Sequence, residues 1–154
     1  MPVAKAAIAQ LTRVRDIMSN QVIALETHAT VGHAARVLSE HKIGGAPVLK
    51  DGRVRGIVSK SDLVDPRNDL EVLVEKVMTR VIYAVRADDP ALLAVHLMVD
   101  ESIHRVLVVD EEGAIVGIIA PIDVLRAVRN GLQLGLTDGG GNLALEYVDL
   151  RTHA

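Results

Sequence analysis

Apolar positions along the chain fall into short continuous runs that alternate with stripes of helical spacing, and the whole order occurs twice. Val22 to Leu25 is a brief run of strand type, and Thr30 after it is a residue type that starts helices. Val31, Ala34, Ala35 and Leu38 then recur at the spacing of one helix face. Ala46 to Leu49 and Val54 to Val58 flank Lys50-Asp51-Gly52, which predicts a β-hairpin with a tight turn. The second pass is similar. Val81 to Val85 reads as a strand, Asp88-Asp89-Pro90 as a helix start, and Leu93, Leu97 and Met98 as the helix face. Val106 to Val109 and Ile115 to Ile119 flank Glu112-Gly113 as a second hairpin. A helix follows each hairpin: Pro121 suits the first helical position of the second copy, and Pro66 cuts the first copy's helix short.

The element order is therefore β-α-β-β-α, twice. RDIMSNQVIAL (15 to 25) pairs with EKVMTRVIYAV (75 to 85), setting Met18 over Met78, and HKIGGAPVLKDGRVRGIVSKSDL pairs with ESIHRVLVVDEEGAIVGIIAPIDV, with one extra residue in the DEEG turn. A unit of about 50 residues cannot bury its sheet face alone, so the copies are expected to share a core. The reading is an α/β (α+β) fold of two pseudo-symmetric repeats packed sheet to sheet. Its expected parts are an N-terminal extension over 1–13, repeat one over 14–64, a connection over 65–73, repeat two over 74–130 and a C-terminal extension over 131–154. Val3, Ala7, Leu11 and Val14 place a helix over residues 3–14; Leu143, Leu145 and Tyr147 alternate as in a strand, without excluding a helix.

Composition narrows the chemistry. The 154 residues are 49% hydrophobic but include no Phe, no Trp and two Tyr, so the core must be aliphatic and base stacking on aromatic rings has little to work with. A net charge of −3 without a Lys/Arg run gives no footprint for a phosphate backbone, so no nucleic-acid partner is expected. The absence of cysteine excludes disulfides, thiolate metal sites and cysteine nucleophiles. No apolar stretch is long enough for a membrane span and no signal-peptide pattern opens the chain, so a soluble, cytoplasmic protein is expected. His28 and His33, with His41 and His96 apart from them, lack metal-ligand spacing, and no nucleophile elbow, P-loop or dinucleotide fingerprint occurs. No enzyme activity and no metal are expected.

The RDIM and EKVM openings, the IGGAPVL and IHRVLVVD strands and the twice-used GI(V/I)xxxD(L/V) motif resemble a tandem pair of CBS domains, an arrangement known as a Bateman module. The resemblance implies adenosine-type ligands in the cleft between repeats, a homodimer, and a regulatory role towards another protein. It also implies that Asp62 and Asp123 hold ribose, with Ser59 and Ser61 near sugar or phosphate. His104-Arg105 looks like a phosphate-reaching pair, His104 facing the ligand held by Asp123 and Arg105 crossing towards the one held by Asp62; the first copy has Gly44-Gly45 there. The base slot it implies is bordered by Val22 and Ile23 for one site and by Val81 and Ile82 for the other.

Each of these residues has a plainer reading. Ser59-Lys60-Ser61-Asp62 has the spacing of a helix capping box, and Asp62 at the third helical position complements the helix dipole. In the second copy Ala120 cannot cap through a side chain and Pro121 has no amide hydrogen, yet Asp123 remains. An ionised carboxylate at such a corner can also accept two hydrogen bonds from the vicinal hydroxyls of a ribose, beside a helix N-terminus suited to phosphate. Arg105 and His104 read equally as solvated strand-end residues, and Val22, Ile23, Val81 and Ile82 as core. The leading expectation is a regulatory module binding an adenine nucleotide, AMP before ADP or ATP, best at the Asp62 site because only that copy keeps Ser59. The alternative is a dimerisation or docking module with vestigial clefts.

Overall fold

Thr30 accepts a hydrogen bond from the His33 amide at 3.1 Å through its hydroxyl, and the first long helix begins there. The computed structural model describes residues 12–65, 67 and 69–134. They form α1 (Val14–Ile17), β1 (Leu25–Glu26), α2 (Val31–Glu40), β2 (Gly45–Lys50), β3 (Arg53–Ser59), α3 (Lys60–Leu63), a 3₁₀ turn (Val74–Lys76), β4 (Ala84–Arg86), α4 (Ala91–Asp100), β5 (Val106–Val109), β6 (Ile115–Ile119) and α5 (Pro121–Arg129). The mixed α+β class and the twofold repeat of the sequence are both present.

The chain divides into two compact units. One takes Ile23–Ile82; the other takes the described residues up to Val22 together with those from Tyr83 on. In the first, β1 lies parallel to β2 and β2 antiparallel to β3. Asp51 and Gly52 both have positive φ, 52° and 75°, and Lys50 pairs with Arg53, so the hairpin closes on the two-residue turn that its Asp-Gly pair predicts. Leu25, Ala34, Leu38, Ala46, Val48, Val58, Val74 and Met78 form the core. In the second unit β4, β5 and β6 repeat the pattern, and Val14, Ile17, Val85, Leu97, Val106, Val108 and Ile119 are among its buried residues. Each β-hairpin carries one bulge at the same place: Arg55 lies between Val54 and Gly56, which pair with Leu49 and Val48, and Val116 lies between Ile115 and Gly117, which pair with Val109 and Val108.

The opening segment of each repeat therefore serves the other repeat's sheet. Ser19 exchanges backbone hydrogen bonds with Ile118 at 2.9 and 3.0 Å, and Thr79 does so with Ile57 at 2.8 and 2.9 Å. This approach explains the glycine of each GI(V/I) motif. A Cβ on Gly56 would stand 2.7 Å from the Met78 Sδ and 2.7 Å from the Thr79 carbonyl oxygen; on Gly117 it would meet the Met18 Sδ at 2.6 Å and the Ser19 oxygen at 3.0 Å. Hydrogen would fit where a methyl would not.

Two strand expectations need correction. The runs Val22 to Leu25 and Val81 to Val85 are not strands over those bounds; the strands are Leu25–Glu26 and Ala84–Arg86. The divisions between units fall at Val22/Ile23 and Ile82/Tyr83, so each run changes units part-way and cannot stay paired along a single sheet. Of the residues in the two runs that lie outside the strands, Ile82 is buried at 5% exposed, while Val22 and Ile23 are half-buried and Val81 is exposed. Of the helix expected over 3–14, residues 3–11 lie outside the described residues; Thr12 and Arg13 are not helical, and Val14 opens α1. The first copy's last helix does end early, at Leu63, while Pro66 itself lies outside the described residues, as does the strand pattern of 143–147.

Candidate functional site

The two strand-to-helix corners are built alike and differ where the sequence differs. At Ser59 the chain leaves β3 extended and enters α3. The Ser59 amide donates to Asp62 Oδ2 at 2.8 Å, the Ser59 hydroxyl donates to the same oxygen at 2.9 Å, and the Ser59 and Ser61 hydroxyls are bonded at 2.8 Å. In the other unit the Ala120 amide donates to Asp123 Oδ2, also at 2.8 Å. The carboxylate half of the capping arrangement thus survives the loss of the serine, because the donor is backbone. Both aspartates brace the start of the following helix, and both are held in one orientation by it.

The remaining oxygen of Asp123 is engaged as well. Arg126, one turn along α5, donates to Oδ1 at 3.2 Å, and Asp123 is 9% exposed. Asp62 is half-buried, and Ser61 beside it is exposed.

Opposite each corner, at the start of the preceding strand, the copies diverge. Gly45 pairs with Ser59, and the Lys60 amide donates to the Gly44 carbonyl at 3.0 Å. Pro121 has no amide hydrogen to make the equivalent bond, and there β5 begins only at Val106, leaving His104 exposed and Arg105 half-buried just ahead of it.

The division into units sorts the residues singled out from sequence. Ser59, Ser61, Asp62, Ile23, Val81 and Ile82 belong to one unit, and Val22, His104, Arg105 and Asp123 to the other. The segment continuing from Thr79 to Ile82 is in the same unit as Asp62, and Met18 to Val22 is in the same unit as Asp123. Val81 is 47% exposed while Ile82 beside it is buried; Val22 and Ile23 are half-buried. Sequence reasoning missed Met18, Ser19, Met78 and Thr79 as the residues that dock each opening segment. Their signal was available in the two motif glycines, which mark a close backbone approach. Among the described residues no cluster of His, Asp and Glu could hold a metal ion, and no helix is long and apolar enough to cross a membrane.

Known proteins share this architecture. The solved CBS-domain pair of protein MJ0100, in complex with 5′-methylthioadenosine and S-adenosyl-L-methionine, superposes with a TM-score of 0.72 at 27% identity, over 79% of this chain and 98% of that one. The structure of CBSX2 in complex with AMP gives 0.68 at 25% identity, over 79% and 98%. In sequence, the A-adding tRNA nucleotidyltransferase of Aquifex aeolicus is 32% identical over 127 residues, covering 79% of this chain and 15% of that enzyme. Of several such relatives the chain spans between 15% and 39% of the length, so it corresponds to one part of those larger proteins. The CBS-domain profile matches residues 14–67 and again 74–130, and with both repeats folded as described the chain belongs to the CBS-domain family, as a tandem pair.

Proposed function

We propose that the chain is a regulatory module that binds adenosine nucleotides, AMP in preference to ADP or ATP, with the stronger site at the Asp62 corner. The observation that carries this reading is the pinned carboxylate. Two donors from Ser59 fix Asp62 in one orientation beside the first turn of α3, so a vicinal diol meets an acceptor that need not be ordered on binding. Relatives of the same architecture with adenosine-containing ligands support the ligand class. The Asp62 corner ranks first because only that copy keeps the serine hydroxyl on its carboxylate; at the Asp123 corner a ribose would share Oδ1 with the Arg126 guanidinium. His104 and Arg105 stand at that corner's end of the sheet as candidate phosphate contacts. No catalytic role is assigned, and the relatives that are enzymes are much longer chains. Calorimetry with AMP, ADP, ATP, NAD and S-adenosylmethionine tests the reading: heat with AMP that is lost in Asp62→Ala supports it, and silence across the panel refutes it.

A second reading, a docking or dimerisation module, is favoured by one surface. Ile122, Leu125 and Val128 on α5 are 57%, 64% and 55% exposed and recur every three residues, a stripe suited to pairing with a second copy. A homodimer is compatible with both readings. Dimer mass lost in Leu125→Glu, with AMP binding retained, would separate the two roles.

A further inference from the structure

Asp123 and Arg126 form a pair that is tight on one side and loose on the other. Asp123 is buried, and its Oδ2 takes the Ala120 amide at 2.8 Å. The Arg126 side chain is 54% exposed and reaches Oδ1 through one nitrogen, Nη1, at 3.2 Å, without the two-pronged fork that makes arginine–carboxylate pairs strong. A single contact of that length to a solvated guanidinium is worth little, so the arginine can leave Oδ1 at small cost. The carboxylate, held by the backbone, stays where it is.

The helix start beside this pair offers an anion few backbone donors. Pro121 has no amide hydrogen, and the amides of Ala120 and Asp123 already donate within the corner, to Asp123 Oδ2 and to the Ala120 carbonyl. A negative group arriving here therefore depends on side-chain cations, and Arg126 is the one already in contact with the carboxylate. A neutral ligand meets the opposite situation. Its diol must draw Oδ1 away from a guanidinium that gains no new partner, and a ligand with a positive charge adds repulsion.

We propose that Arg126 sets the ligand charge accepted at the Asp123 corner, an inference that rests on the reading of Asp123 as a ribose acceptor. A vicinal diol takes Oδ1, and the released guanidinium pairs with a negatively charged 5′ substituent. Arg126 thereby favours nucleotides over neutral nucleosides and disfavours adenosine derivatives that carry a cation at the 5′ position. The corner from Ala120 to Arg126 lies within one unit, so the selection is built into a single repeat.

The test is calorimetry of the full chain with AMP, adenosine and S-adenosylmethionine, in an Asp62→Asn background that weakens the other corner. The background is compared with its Arg126→Gln, Arg126→Lys and Asp123→Asn derivatives, each checked for folding by circular dichroism. The expected result is a ratio of AMP to adenosine affinity at least roughly tenfold lower in Arg126→Gln: AMP binds more weakly, while adenosine and S-adenosylmethionine bind as well or better. Arg126→Lys keeps most of the ratio because the charge remains, and Asp123→Asn weakens all three ligands. An unchanged ratio in Arg126→Gln, or an equal loss for all three ligands as a purely structural arginine would give, overturns the proposal and leaves the ribose reading standing. A background that binds nothing while wild type binds AMP, or binding indifferent to Asp123→Asn, also overturns it, because the Asp123 corner then takes no ligand. Silence of wild type itself refutes the nucleotide reading and this inference together.

Discussion

Gly56→Ala puts the close approach of the two chain segments to a quantitative test. The added methyl would lie 2.7 Å from the Thr79 carbonyl oxygen and 2.7 Å from the Met78 Sδ. The methionine can rotate away, but the carbonyl cannot move without stretching the two Ile57–Thr79 hydrogen bonds, of 2.8 and 2.9 Å. Overpacking of this kind costs about 1–3 kcal/mol, and weakening two backbone bonds worth about 1 kcal/mol each pushes the sum towards the upper end. For a chain of this length, a loss of about 2–3 kcal/mol lowers Tm by roughly 5–10 °C. Gly117→Ala is the internal control. Its backbone contact, the Ser19 oxygen, is at 3.0 Å and the closest atom is the end of the flexible Met18 side chain, so about 1 kcal/mol is expected. Urea melts of both variants, with Gly56→Ala/Met78→Ala added, read the difference. Removing the methionine side chain should not restore stability, because the carbonyl remains. A Gly56→Ala variant within about 0.5 kcal/mol of wild type, or one less affected than Gly117→Ala, would refute the argument that the motif glycine serves this backbone approach.

Two further outcomes follow from the same bonds. Thr30→Ala removes the hydroxyl that accepts the His33 amide and should cost about 1 kcal/mol, a Tm drop of roughly 2–4 °C, with Thr30→Ser close to wild type in the same melt. Asp65 is held at a pKa of about 2, first by the side-chain hydrogen bonds of Arg67; its folded value is depressed, so the associated stability is present above the ordinary carboxylate range and is lost as pH falls towards 2. Because the pair is exposed, the expected signal is spectroscopic: NMR titration of Asp65 should return towards 3.8 in Arg67→Ala, with little change in stability.

The repeat, both hairpins and the long helices were legible because each rests on local signals: Thr30 as a cap, Asp51-Gly52 as a turn, Pro121 at a first helical position. The crossing segments were misread as strands. An apolar run at 22–25 or 81–85 does not say whether the backbone is paired along one sheet or passing from one unit to the other. Gly56 and Gly117 held the missing information, since a glycine inside a strand pattern signals a close neighbour without naming it. At the corners, the sequence posed capping and ribose binding as rivals, with the serine to decide between them. The structure shows that the carboxylate caps through the backbone amide in both copies, so the serine is not needed for capping. The Asp123 carboxylate is also held by a residue the motif does not contain, Arg126, one turn further along the helix. Such a partner is visible only once the helix is built.

The most direct test of the account is the affinity for AMP of wild type, Asp62→Asn and Asp123→Asn, measured by calorimetry on the full chain. Asparagine can still accept the Ser59 amide, so the corner keeps its shape while the charge is removed. A hydrogen bond to a charged group is worth about 1.5–3 kcal/mol, so Asp62→Asn should weaken binding about tenfold to a hundredfold while Asp123→Asn changes it little. Binding by Asp62→Asn as tight as wild type, or an Asp123→Asn defect larger than that of Asp62→Asn, would contradict the assignment of the principal site.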